Sequence, residues 1–214
     1  MKETRRMSAT AAPAARDRSD FRTVTTGGAL VGLVTGGAVV LVVAASRTLA
    51  GGAVRGGVEA LLVLAAAVVV AFFPAQWTAA RGTDGIAGAA AVGLVGTVVF
   101  SAIDIVLLRP FKAYPWTWDA IGGGSTWWYL PVWWMLGTFL AWMGGLVTAG
   151  QAARGGGAGE ATLGRSALPA VAGTVVVAAI ARLAGLAVSL PAATGGAFTI
   201  VLAALALVAL TRKG

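Results

Sequence analysis

Apolar residues along this chain neither alternate strictly nor recur at a simple helical spacing. They run on in long stretches, at about 28–46, 57–77, 86–108, 127–149, 167–189 and 194–211, broken by short polar or glycine-rich segments. Crossing about 30 Å of hydrocarbon takes about 20 helical residues, and each stretch is close to that length. A spanning backbone must satisfy its own hydrogen bonds, which leaves helices or a closed barrel. Barrel strands would show short alternating segments, and these runs are continuously apolar. The pattern therefore predicts an all-α fold, a polytopic transmembrane bundle of about six spans.

The breaks sit at Arg47 to Gly56, at Arg81 to Gly85, at 109–126 with Pro110, Pro115 and Gly122 to Gly124, and at the glycine-rich stretch 150–166. The last, Pro191 to Gly195, is the shortest, and a re-entrant hairpin of spans five and six is the alternative there. Residues 1–27 are polar and basic without apolar periodicity and read as a disordered cytoplasmic tail. The pair Arg5-Arg6 lacks the surroundings of a twin-arginine signal. The stretch that follows is long enough to span and has no small-residue cleavage site, so it reads as an uncleaved first helix. The transmembrane bundle thus occupies 28–211 and leaves 212–214 as the C-terminus.

Basic residues fix the expected orientation, because loops rich in Lys and Arg stay cytoplasmic. With six spans, the tail, Arg81, Arg154, Arg165, Arg212 and Lys213 share one side, against Arg47, Arg55, Arg109 and Lys112 on the other. Both termini are expected in the cytoplasm. The formal charge of +8 is explained by these flanking residues, so no nucleic-acid partner is implied.

Composition sharpens the picture by exclusion. Only 11% of residues are charged, against about 25% in soluble domains. With no cysteine and no histidine, disulfides, thiolate sites, the commonest general base and the commonest metal and haem ligand are all missing. No metal or cofactor is expected. The 31 glycines, the Ala and Val runs and the excess of Arg over Lys suggest a high-GC bacterial genome and its cytoplasmic membrane.

Three features could carry chemistry. Asp104 lies in the third span and Arg182 in the fifth, and Glu59 opens the second. A charge in hydrocarbon costs about 2.5–3.5 kcal/mol on insertion scales, so such residues face inward and find partners. The topology puts all three toward the outer side, which predicts an Asp104–Arg182 pair with Glu59 nearby. It would be a solute site, or alternatively an ion pair locking two helices or side chains snorkelling to the interface.

Seven of the eight tryptophans lie between Trp116 and Trp142. Trp116, Trp118, Trp127 and Trp128 flank the fourth span and suit an aromatic belt. Trp133, Trp134 and Trp142 lie deeper, and Trp134 and Trp142 share roughly one face, which could line a groove for a lipid tail, an apolar ligand or a partner helix. Asp119 beside Trp116 and Trp118 could form a cation cage.

Small residues recur every four positions at Gly28, Gly32 and Gly36, at Ala89, Gly93 and Thr97, and at Ala181 and Gly185. They are expected to pack helices closely within the chain. Pro74 and Pro131 are expected to kink the second and fourth spans. Gly155 to Gly157 is not followed by a Lys-Ser/Thr pair and reads as linker.

An enzyme is not expected, since the membrane acids are isolated and no base accompanies them. The reading placed first is a non-enzymatic accessory or assembly subunit of a larger membrane complex, with the bilayer and a membrane protein as partners. The alternative is a small permease or embedded binding subunit for an apolar or amphipathic ligand, using Asp104 and Arg182.

Overall fold

The computed structural model describes residues 17–110, 129–154 and 162–212. They form six helices: α1 (Phe21–Thr48), α2 (Ala53–Trp77), α3 (Thr83–Ile103), α4 (Tyr129–Arg154), α5 (Leu163–Leu183) and α6 (Leu190–Thr211). A π-turn, Asp104–Leu108, continues α3. All six helices are long and apolar enough to cross a membrane, and no strand occurs among the described residues. The all-α bundle of six spans is thus observed. The belt residues Trp116, Trp118, Trp127 and Trp128, with Asp119, lie outside the described residues, as does the tail before Asp17.

Helix ends differ from the apolar limits because capping decides them. α1 starts at Phe21, well before residue 28, because the Asp20 carboxylate accepts from the Thr23 backbone N at 3.0 Å and its hydroxyl at 2.6 Å. Those bonds to the charged form hold the Asp20 carboxyl below the usual carboxylate range. α5 starts at Leu163, where the Thr162 hydroxyl accepts from Arg165 N at 3.4 Å. It stops at Leu183, not 189. Gly185 (φ +75°) takes the left-handed conformation, and Gly185 N and Leu186 N donate back to the carbonyls of Arg182 and Ala181 at 3.1 and 3.2 Å, a Schellman closure. Gly185 is therefore a cap and not the packing residue expected with Ala181. Pro131 sits in the first turn of α4, where a missing N–H is tolerated. Pro74 lies inside α2 near its end.

Chain order does not give neighbour order. α3 packs between α1 and α4; α2 contacts α1, α4 and α6; and the α5–α6 hairpin lies against α2. Close approach comes from small residues, the expected Gly28, Gly32 and Gly93 among them. Gly28 and Gly32 seat against Val95 and Val99 of α3, and an added Cβ at either would run into those side chains. A Cβ on Gly93 would lie 2.6 Å from the Gly137 carbonyl oxygen of α4, and one on Gly144 would run into the Ala71 carbonyl of α2. Around these contacts Phe72, Ile86, Met143, Val147, Phe198 and Leu202 form the buried core. Leu33, Leu41, Leu61, Met135, Leu168 and Ile200 point outward, the apolar exterior that a bilayer solvates.

The bundle end at which α1 begins, here the basal end, is tied by polar bonds. The Asp17 carboxylate accepts from the backbone N of Arg81, Gly82 and Gly85 at 3.1, 2.9 and 2.8 Å, capping the start of α3. Trp77 Nε1 donates to the Thr23 carbonyl at 2.9 Å. α2 closes on Ala79 at φ 50°, a left-handed residue in the position where glycine is usual.

Candidate functional site

At the opposite, apical half, the structure builds a cavity around Asp104. The local sequence sets this up. Pro110 offers no N–H to continue the α register, and the chain widens so that Arg109 N donates to the Asp104 carbonyl at 2.9 Å. In an α-helix, five steps of about 100° would leave Arg109 about 140° around from Asp104. The π-turn returns it to the same face, and Arg109 Nε donates to Asp104 Oδ2 at 3.0 Å. The Asp104 side chain is 2% exposed and that of Arg109 25%. The charge buried in the apical half is thus matched from within its own element.

Below Asp104, hydroxyls are folded back onto the helix. Ser101 Oγ donates to the Thr97 carbonyl and Thr97 Oγ1 to the Gly93 carbonyl, both at 2.8 Å. Trp134 Nε1 of α4 donates to Ser101 Oγ at 3.3 Å, which turns that indole toward α3. Its neighbour Trp133 stands edge-on to Phe100, centroids 6.3 Å apart and planes at 72°.

Between these helices lies a cavity of about 430 Å³. Its described walls are Thr35, Ala38, Val39, Val42 and Val43 of α1, Leu62, Val63 and Ala66 of α2, Phe100, Asp104 and Trp133. Thr35 spends its hydroxyl proton on the Val31 carbonyl at 2.8 Å, so the wall is almost wholly hydrocarbon with one carboxylate. Pockets of about 300–1,000 Å³ with few polar groups are the usual form of small-molecule sites.

The expected site is rearranged. Asp104 and Arg182 are not a pair, because α3 and α5 are not neighbours; each packs on other helices. Asp104 takes Arg109. Glu59 takes Arg55 one helical turn away, Nε to Oε1 at 2.8 Å. Arg182, exposed at the end of α5, donates from Nη1 to the Val188 carbonyl at 3.3 Å. It lines a different groove of about 400 Å³ between α2, α5 and α6. The aromatic face is also divided: Trp133 lines the cavity, Trp134 bonds to α3, and Trp142 is 47% exposed on the bundle exterior. The α1 and α2 walls were missed altogether, because their Val and Ala residues look like any other span.

Among the described residues no cluster of acidic side chains is arranged to hold a metal ion. Comparison with known proteins gave no match to a family model, a curated protein or a solved structure.

Proposed function

We propose that this chain is a non-enzymatic membrane subunit that holds an apolar or weakly amphipathic molecule in the cavity between α1, α2, α3 and α4. One observation carries the reading: a space of about 430 Å³, walled by hydrocarbon and an indole, beside a single buried carboxylate neutralised by its own Arg109. A hydrophilic solute would find too few hydrogen-bond partners there to replace its water. An alkyl chain or a flat apolar ring would lose no such bonds. No bond-making step is assigned to the site.

The reading includes a topology. Arg18, Arg22, Arg81, Arg154 and Arg212 are at helix ends of the basal side and Arg47, Arg55 and Arg109 at the apical side. By the positive-inside rule the basal end, with both termini, faces the cytoplasm of a bacterial cell. Service as an accessory subunit of a larger complex is compatible with this role, the bound molecule then being presented to or shielded for a partner.

A photoactivatable long-chain hydrocarbon tests the site. Incorporated into proteoliposomes and activated, it should concentrate its label on the peptides carrying Ala38 to Val43 and Trp133. Ala38→Phe, which fills the space from α1, should remove that enrichment while leaving labelling of the outer faces of α5 and α6 unchanged. Labelling spread evenly over all lipid-facing positions would defeat the reading. If purification in mild detergent instead gives a stoichiometric protein partner and no enrichment in the cavity, the accessory-subunit role stands alone.

A further inference from the structure

The groove between α2, α5 and α6 is independent of the cavity above and has a different chemistry at its mouth. It runs from Thr174 to Arg182 along α5, about 12 Å at 1.5 Å per residue. Its floor is small and apolar, with Gly57 and Ala60 on α2 and Ala178 on α5. The two hydroxyls that line it, Thr174 and Thr194, are bonded to the carbonyls of Ala170 and Leu190 at 2.7 and 2.8 Å. The groove body therefore offers only hydrocarbon.

Its apical mouth is positive. The exposed Arg182 stands there, and its one recorded bond, to the Val188 carbonyl, uses one of five N–H donors. No carboxylate among the described residues pairs with it. Glu59 is tied to Arg55, and at 100° per residue it lies on the side of α2 opposite Gly57, Ala60, Leu61 and Leu64. α6 starts beside Arg182, and its N-cap Ser189 makes no side-chain bond to the first turn. The partial positive charge of that helix start is therefore turned toward the same mouth. The negative end of α5 is blunted by the Schellman bonds at Gly185.

We infer that this groove is a binding site for one phospholipid with a net negative headgroup, its acyl chain along Gly57, Ala60 and Ala178 and its phosphate against Arg182 and the first turn of α6. Charge selects the headgroup. A zwitterionic lipid would bring its ammonium to a mouth with no carboxylate among the described residues, whereas a phosphatidylglycerol headgroup meets a guanidinium that binds phosphate through two parallel N–H bonds. Arg182, which reads from sequence as a partner for Asp104, is on this account a lipid anchor.

The test uses the full-length protein in nanodiscs of phosphatidylcholine containing a minor fraction of phosphatidylglycerol, with retained lipid counted by native mass spectrometry after release into detergent. Wild type should keep one phosphatidylglycerol in preference to the abundant phosphatidylcholine. Arg182→Gln should lower that occupancy about tenfold, and Arg182→Lys should recover part of it. Gly57→Leu is the second variant. A Cβ at Gly57 meets nothing within 4 Å and Gly57 lines the groove, so a larger side chain has room to start there and should displace the lipid with Arg182 intact. Asp104→Asn should have no effect on this occupancy, and Ala38→Phe should have none either, which separates this site from the α1–α4 cavity. Equal retention of both lipids, or undiminished phosphatidylglycerol in both Arg182→Gln and Gly57→Leu, would overturn the assignment and leave Arg182 as an interfacial cation only.

Discussion

Gly144→Ala should cost this bundle far more than one methyl group suggests. The Cβ it adds would run into the carbonyl of Ala71, part of the α2 backbone. A side chain could rotate away, but a carbonyl bonded within a helix cannot, so α2 and α4 must move apart. That shift would loosen Phe72, Met143 and Val147, all of them buried. Overpacking a tight core costs about 1–3 kcal/mol, and a backbone obstacle puts this site at the upper end. Replacing a helical glycine by alanine returns up to about 1 kcal/mol of propensity. The net loss is about 2 kcal/mol, roughly 25-fold in the folding equilibrium.

The control is Gly37→Ala. Gly37 is an exposed helical glycine of α1, and its added Cβ meets nothing within 4 Å. Only the propensity change operates there, so the variant should be as stable as wild type or up to about 1 kcal/mol more stable. Titration with SDS in mixed micelles, followed by far-ultraviolet circular dichroism, measures both. Gly144→Ala should unfold at a clearly lower SDS fraction, and Gly37→Ala at the same or a higher one. A Gly144→Ala midpoint at or above wild type would refute the close approach of α2 and α4. Equal losses at both positions would show that glycine matters here for backbone freedom and not for contact.

Other expectations follow from single residues, and those on stability use the same titration. Ala79→Gly should raise stability by up to about 1 kcal/mol, since it relieves a left-handed Cβ at the end of α2; a lower midpoint would count against strain there. Asp17→Ala removes the acceptor for three N–H groups at the start of α3 and should cost about 1–2 kcal/mol. Arg109→Gln leaves a buried carboxylate without its guanidinium and should cost about 3–5 kcal/mol, whereas adding Asp104→Asn to it should recover much of the loss; failure of the double variant to recover would refute the local pair. Asp20 has a lowered carboxyl pKa, so its cap is fully present above the ordinary value of about 3.9 and is lost as pH falls through the lower folded value. Fluorescence of Trp77, bonded to the first turn of α1, should therefore shift only in acid below about pH 4, and Asp20→Asn should abolish that shift.

The spans were legible because length and unbroken apolarity decide them almost alone. Their ends were not, for a consistent reason. Asp20 and Thr162 are polar and look like loop, yet each is the residue that starts a helix by accepting its first N–H groups. Gly185 looks like one more small packing residue, although Arg-Leu-Ala-Gly-Leu carries the apolar residue after the glycine that marks a Schellman end. The four-residue stripes of α1 and α3 were readable because close helix contact needs that periodicity whatever the partner. Which helix they would meet was not readable, since no pattern in α3 distinguishes α4 from α5.

The charged residues show why the expected site failed and what replaces it. Pairing across helices was inferred from depth alone, on the premise that a membrane carboxylate waits for a tertiary partner. Asp104 need not wait. Its guanidinium comes from five residues on, a spacing invisible to the i+3 and i+4 rules, and Pro110 is the only local sign that the register can change. Such a pair forms with the helix itself, so the insertion cost of about 2.5–3.5 kcal/mol for a lone acid is reduced before any helix packs. The fold is then under no pressure to bring a second charge to Asp104, and the neighbouring walls from α1 and α2 can stay wholly apolar. Freed from Asp104, Arg182 remains a cation at the mouth of a separate groove. The bundle is left with two apolar spaces with opposite charges at their edges, one internally neutralised by the change of register and one open to an anion.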